Sequence, residues 1–320
     1  ELVGDGKRIK KTLKDVPKED VEKYLDQDVT LTRKVFEQEQ LLGVPDYFKS
    51  IEAPLIQKVL DLELRGMKID EDKLEGLISR YEVDIEKAGK VFETTGINPR
   101  SPKQLGAAIK ALTTGEVKKT PKGGIATGKA TLVELNTDFT RAVLKHRGLT
   151  KLYSTYLMPF KAGLSEGRLR GVLSQGGTVT GRFSSSNPNL QNIPSKKAEG
   201  KEIRSLFISP IGKKLVVADY SQIELRLIAE LSKDALMVAA FSSGVDLHTL
   251  SAQNLFNKKD ITPSERHIGK TMNFAISYGS WGKTIRETLL KEEADLVPSV
   301  QECNEYIKRF YELYLDIQDW

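Results

Sequence analysis

The chain has 320 residues and a formal net charge of +5, with 39% hydrophobic and 29% charged residues, an ordinary balance for a globular protein and long enough for two or more lobes. A single cysteine, Cys303, excludes an intramolecular disulfide framework, and three scattered histidines (His146, His248, His267) give no zinc-type spacing. No apolar run approaches membrane-spanning length.

In chain order, a helix is predicted over 17–42, with Pro17 near its start and Gly43 and Pro45 after it. A second covers about 50–65, "GMKID" turns the chain, and a third runs through "EDKLEGLISRYEVDIEKAGKVFETT". Residues 96–130 are rich in Gly, Pro, Thr and Lys around one capped helix, "SPKQLGAAIKAL", and predict helices with a mobile tip. Another helix is predicted over roughly 131–163. After Gly163 the short alternating runs and glycines of "RLRGVLSQGGTVTGRFSS" predict strands and turns.

Residues 215–218 ("LVVA") predict a short buried strand with Asp219 at its tip, followed by a helix from Gln222. A carboxylate there suits either a divalent cation or a helix cap. The basic clusters "KRIKK" (7–11) and "KKTPK" (118–122), with the pairs Lys196/Lys197, Lys213/Lys214 and Lys258/Lys259, suit a polyanion or mere solubility.

The stretch "TPSERHIGKTMNFAISYG" (262–279) reads as a helix with Thr262 as N-cap, Pro263 in the first turn, Glu265 completing a capping box and Gly279 as a left-handed stop. Arg266, Lys270, Phe274 and Tyr278 recur every four residues and share one face. Two cations followed by two aromatics fit either a solvated face with an aromatic end or a platform for phosphates and a flat ring. The chain starts at Glu1, and apolar spacing persists from Tyr306 to Trp320, so a piece of a longer protein is expected.

Together, "DYSQIELRLIAELS" (219–232), "TGRFSSSNPNLQNIP" (180–194), "DLHTLSAQNLF" (246–256) and the 262–279 helix resemble, in order and spacing, four motifs of family A DNA polymerases, the DNA polymerase I group. "SPKQLGAAIKAL" is similar to the thumb, "IEAPLIQKVLDLELRGMKID" to the helix leading into it, and "YLDQDVTLT" (24–32) to the last motif of the adjoining 3′–5′ proofreading domain. The resemblance implies an α+β right-hand polymerase with an antiparallel palm sheet and helical thumb and fingers. It divides the chain into an exonuclease-like remnant (1–45), a connecting helix (46–70), thumb (71–165), first part of the palm (166–235) and incomplete fingers (236–320).

The implied reaction is template-directed transfer of deoxynucleotides to a primer 3′-hydroxyl, in replication or repair, with two Mg²⁺ ions and Mn²⁺ as a substitute. The resemblance makes Asp219 and the Tyr220 carbonyl metal ligands and Arg266 and Lys270 the triphosphate cations. It sets Phe274 against the sugar and base, and Tyr278 under the nascent pair. Glu224 would exclude a ribose 2′-hydroxyl, with Gln222 beside it, and His248 would touch the triphosphate or simply pack. Arg182 would probe the minor groove of the primer-terminal pair, Gln191 and Asn192 would track the duplex, and Lys103, Lys118, Lys119 and Lys122 would meet DNA phosphates.

The implied partners are primer–template DNA and dNTPs, with no membrane, a monomeric state and the cytoplasm of a bacterial or phage-infected cell. Two departures follow. The family's second catalytic carboxylate lies in a His-Asp motif beyond Trp320, and Tyr24 and Asp28 lack the upstream carboxylates of a proofreading site. The chain alone is therefore expected to be inactive. The rival readings are a single-subunit RNA polymerase and a non-catalytic DNA-binding remnant.

Overall fold

Stop signals and caps decide where the helices fall. The computed structural model describes residues 16–113, 115, 117–195 and 197–319; the basic run at 7–11, Lys196 and Trp320 lie outside them. The chain forms two units, 1–67 with 163–192 and 68–162 with 193–320.

In the first unit, α1 (Lys18–Leu42) begins after Pro17 and ends at Gly43, whose φ is 81°. The helix forms as expected but buries no residue; Leu25, Val29, Val35 and Phe36 are all exposed. Helix α2 (Ala53–Arg65) ends at Gly66, where a Cβ would meet the Leu169 carbonyl oxygen at 2.7 Å. The expected strands are short. After the boundary strand β1 (Met67–Lys68), β2 (Leu164–Ser165) and β3 (Arg168–Leu169) pair antiparallel in register Leu164↔Leu169. Strands β4 (Val172–Ser174) and β5 (Ser184–Ser186) pair Val172↔Ser186.

In the second unit, Asp70 caps α3 (Glu71–Thr95) by accepting from the Lys73 amide, and Ser101 caps α4 (Pro102–Leu112). The predicted helix over 131–163 is instead three. Asn136, at φ 44°, stops α5 (Lys129–Leu135), and a Thr137/Thr140 capping box starts α6 (Asp138–Leu152). A π-helical turn, Tyr153–Leu157, precedes α7 (Met158–Gly163). Phe92, Leu105, Ile109, Leu132 and Val143 form a core between these helices.

Beyond α8 (Ala198–Arg204) follow α9 (Ile223–Ser232), α10 (Ala235–Ser242), α11 (Leu247–Phe256), α12 (Pro263–Ser277), α13 (Gly282–Glu292), α14 (Val300–Leu313) and α15 (Leu315–Asp319). They enclose a second core that includes Leu225, Met237, Leu247, Ile268, Met272, Ile285 and Phe310. The apolar C-terminal pattern breaks at Tyr314, whose buried hydroxyl lies 2.9 Å from Ser251 Oγ and whose ring lies tilted, 4.8 Å from that of Phe310.

One prediction fails outright. Residues 213–220 form no strand or helix, and Val216 and Val217 are 91% and 92% exposed. A strand needs a neighbouring ladder and a covered face, and among the described residues nothing pairs with this segment. The result is an α+β fold in which helices dominate and sheets are small.

Candidate functional site

Helix α12 is fixed at both ends as its sequence predicts. Thr262 Oγ1 accepts from the Glu265 amide, and Glu265 Oε2 accepts from the Thr262 amide at 2.9 Å. At the other end the Gly279 amide reaches the Ile276 carbonyl and the Ser280 amide the Ala275 carbonyl, with Gly279 at φ 66°. Its packing against α11 depends on Gly269, because a Cβ there would stand 2.5 Å from the His248 carbonyl oxygen. None of Arg266, Lys270, Phe274 and Tyr278 is fully buried.

Arg266 Nε donates to Asp246 Oδ2 at 2.7 Å. The same carboxylate caps α11, accepting from the Thr249 amide at 3.2 Å and its hydroxyl at 2.6 Å. Burial pushes the Asp246 carboxyl up, but the bonds from Arg266 and Thr249 outweigh it and hold it down at about 2. His248 lies two residues on, 4% exposed. Burial, helped by the charges of Arg266 and Lys270, pushes it down to about 4 against the pull of Asp246, so it is neutral at pH 7. Its Nδ1 lies 3.1 Å from Asn273 Nδ2, within hydrogen-bond distance, and the ring lies 5.8 Å from that of Phe274. His248 is thus packed at the α11–α12 crossing.

Lys270, Phe274 and Tyr278 line a cleft of ≈ 230 Å³ with Thr288 and Glu292 of α13. His267 borders it and pairs with Glu292 at 2.9 Å. The Tyr278 hydroxyl donates to Glu224 Oε2 at 2.9 Å, so the first turn of α9 is brought to the end of α12. Gln222, at the start of α9, takes a left-handed conformation (φ 53°), and its Oε1 is buried with no protein partner. The structure therefore gathers Glu224, His248, Arg266, Lys270, Phe274 and Tyr278. Asp246 and Asn273 were missed by sequence reasoning, although the D-x-x-T cap pattern of Asp246 was visible in it.

Asp219 and Tyr220 stand apart in character. Both lie at the end of the irregular segment 213–220, exposed to solvent, Tyr220 by 79%. Divalent ions need several convergent oxygen donors. Among the described residues no three His, Cys, Asp or Glu side chains cluster as such donors, and Asp219 alone does not fit the pair of ions the resemblance implies.

Of the basic residues, Lys118 is engaged by Glu287 of α13, whose carboxyl it holds below the usual range, and Lys129 pairs with Glu293 at 2.8 Å. Lys103 on α4 and Lys119 and Lys122 on the hairpin with the bridge Lys119↔Ile125 are exposed. In the other unit, the Arg182 carbonyl accepts from Thr178 Oγ1 at 2.7 Å, and the Gln191 and Asn192 amides both donate to Asn189 Oδ1 at 3.1 Å. These three side chains are exposed.

The sequence model for DNA polymerase family A matches residues 71–320. DNA polymerase I of Synechocystis sp. is 36% identical over 331 residues, covering 98% of this chain and 33% of that protein. DNA polymerase I of Aquifex aeolicus is 31% identical, covering 91% of this chain and 49% of its own length. Among solved structures, the POL domain of Pol1 from M. smegmatis, in complex with DNA primer-template and dNTP, superposes with a TM-score of 0.74 at 30% identity, over 84% of this chain and 48% of that one. The chain thus spans about a third of the length of the Synechocystis relative.

Proposed function

Because the chain belongs to DNA polymerase family A, we propose that its α9–α11–α12 face binds the incoming deoxynucleoside triphosphate of template-directed DNA synthesis. One observation supports this reading: Lys270, Phe274 and Tyr278 line one cleft in sequence, and its aromatic end is tied to Glu224. Lys270 and the guanidinium of Arg266 meet the triphosphate and offset charge on the departing pyrophosphate. Phe274 lies against the sugar and base. Glu224, held by Tyr278, occupies the place of a 2′-hydroxyl, so a ribonucleotide is excluded by collision. His248 acts by fixing the crossing from which Arg266 and Phe274 project.

Primer–template DNA is the proposed partner. Lys103, Lys119 and Lys122 contribute affinity without sequence preference, and Arg182, Gln191 and Asn192 contact the duplex. Family A polymerases generally use divalent metal ions; Asp219 is proposed as one of the several oxygen donors that such an ion would need. The test is equilibrium titration of the purified chain with dGTP and GTP. Lys270→Ala should weaken dGTP binding about tenfold, as expected for one charge-assisted phosphate contact of ~1.4 kcal/mol or more. Glu224→Ala should narrow the preference for dGTP over GTP. Equal binding by wild type and Lys270→Ala would overturn the assignment.

A further inference from the structure

Arg266 is the one cation of the α12 stripe that already has a carboxylate on it, and that contact has two opposite readings. A carboxylate 2.7 Å from Nε lowers the positive charge a triphosphate would meet, so by charge alone it opposes binding. It also fixes a long side chain whose freedom would otherwise be lost on binding. Three features favour the second effect. The carboxylate does not swing, because it simultaneously caps α11 through the Thr249 amide and hydroxyl. It engages only Nε, and no hydrogen bond from a described residue occupies the Nη groups, the fork that matches two phosphate oxygens. It remains ionised across the working range, held down at about 2. Resting on the nucleotide reading above, we propose that Asp246 is a positioning residue that locks Arg266 through Nε and presents its Nη fork to the triphosphate.

The sign of the effect separates the readings. The experiment is equilibrium titration of the full chain with inorganic tripolyphosphate and, separately, dGTP, for wild type, Asp246→Asn, Arg266→Ala, the double variant and Lys270→Ala. Asp246→Asn keeps an oxygen for the Thr249 amide, so the cap survives, and thermal unfolding of each variant checks this. Asp246→Asn should weaken both ligands about fivefold, and in the Arg266→Ala background it should do nothing further, the non-additivity of a coupled pair. A helix cap acting only on stability would not lose its effect with Arg266. Unchanged or tighter binding by Asp246→Asn, or full additivity in the double variant, overturns the proposal while leaving a Lys270-dependent nucleotide site standing. Absence of triphosphate binding by wild type, or indifference to Lys270→Ala, instead removes the nucleotide reading and this inference with it.

Discussion

The α11–α12 crossing and the irregular segment 213–220 both carry residues of one expected site, yet they are held in different ways. At the crossing, side chains of the stripe project from a helix whose other faces are buried through Ile268, Met272 and Ile276 and whose ends are capped. Their positions are over-determined by packing. The segment bearing Asp219 has equally apolar residues, but Val216 and Val217 touch almost nothing. Apolar sequence is thus enough to build a site only where the chain supplies the surface that covers it.

If that contrast is sound, the crossing should be fragile and the segment tolerant. The largest effect should follow Met272→Ala, which empties a fully buried position and should cost about 3 kcal/mol in denaturant unfolding. Gly269→Ala should cost about 2 kcal/mol by forcing α11 and α12 apart, and it should also weaken triphosphate binding because Arg266 and Asp246 sit on opposite helices; unchanged stability would show that the close approach is dispensable.

Acid should act on the same crossing. His248 titrates near 6.5 when unfolded and at about 4 when folded, so the unfolded chain takes up its proton first. Stability conferred by the neutral ring is then present above pH 6.5 and lost as pH falls toward 4, by up to ~3 kcal/mol. Unfolding free energies measured between pH 7 and 4 should show this slope, and His248→Gln should flatten it. Asp246, at about 2 against an ordinary 3.8, adds a further loss only below pH 4.

The smallest effect is expected on the other side of the comparison. Val217→Thr should change stability by less than about 0.5 kcal/mol, since an exposed position buries nothing on folding. A loss of 2 kcal/mol or more there would mean that the segment is covered in solution and that the contrast is false.

Much of this was readable in the chain itself. Caps and stops are local: Thr262, Glu265 and Gly279 fix α12 through bonds spanning a few residues, and Ser101 and Pro102 do the same for α4. The four-residue recurrence from Arg266 to Tyr278 follows from helix geometry, so a shared face needed no tertiary information. The break at Asn136–Thr137 was equally local and was masked by the stronger apolar periodicity around it. What only the tertiary structure decided are contacts between residues distant in sequence. These are Arg266 on Asp246, Tyr278 on Glu224, Asn273 on His248 and Lys118 on Glu287. They depend on which helices cross and how closely, which Gly269 permits but does not announce. The 215–218 run marks the same limit from the other side: its pattern specifies a strand, but a strand exists only when another segment offers a ladder, and sequence periodicity carries no record of whether one does.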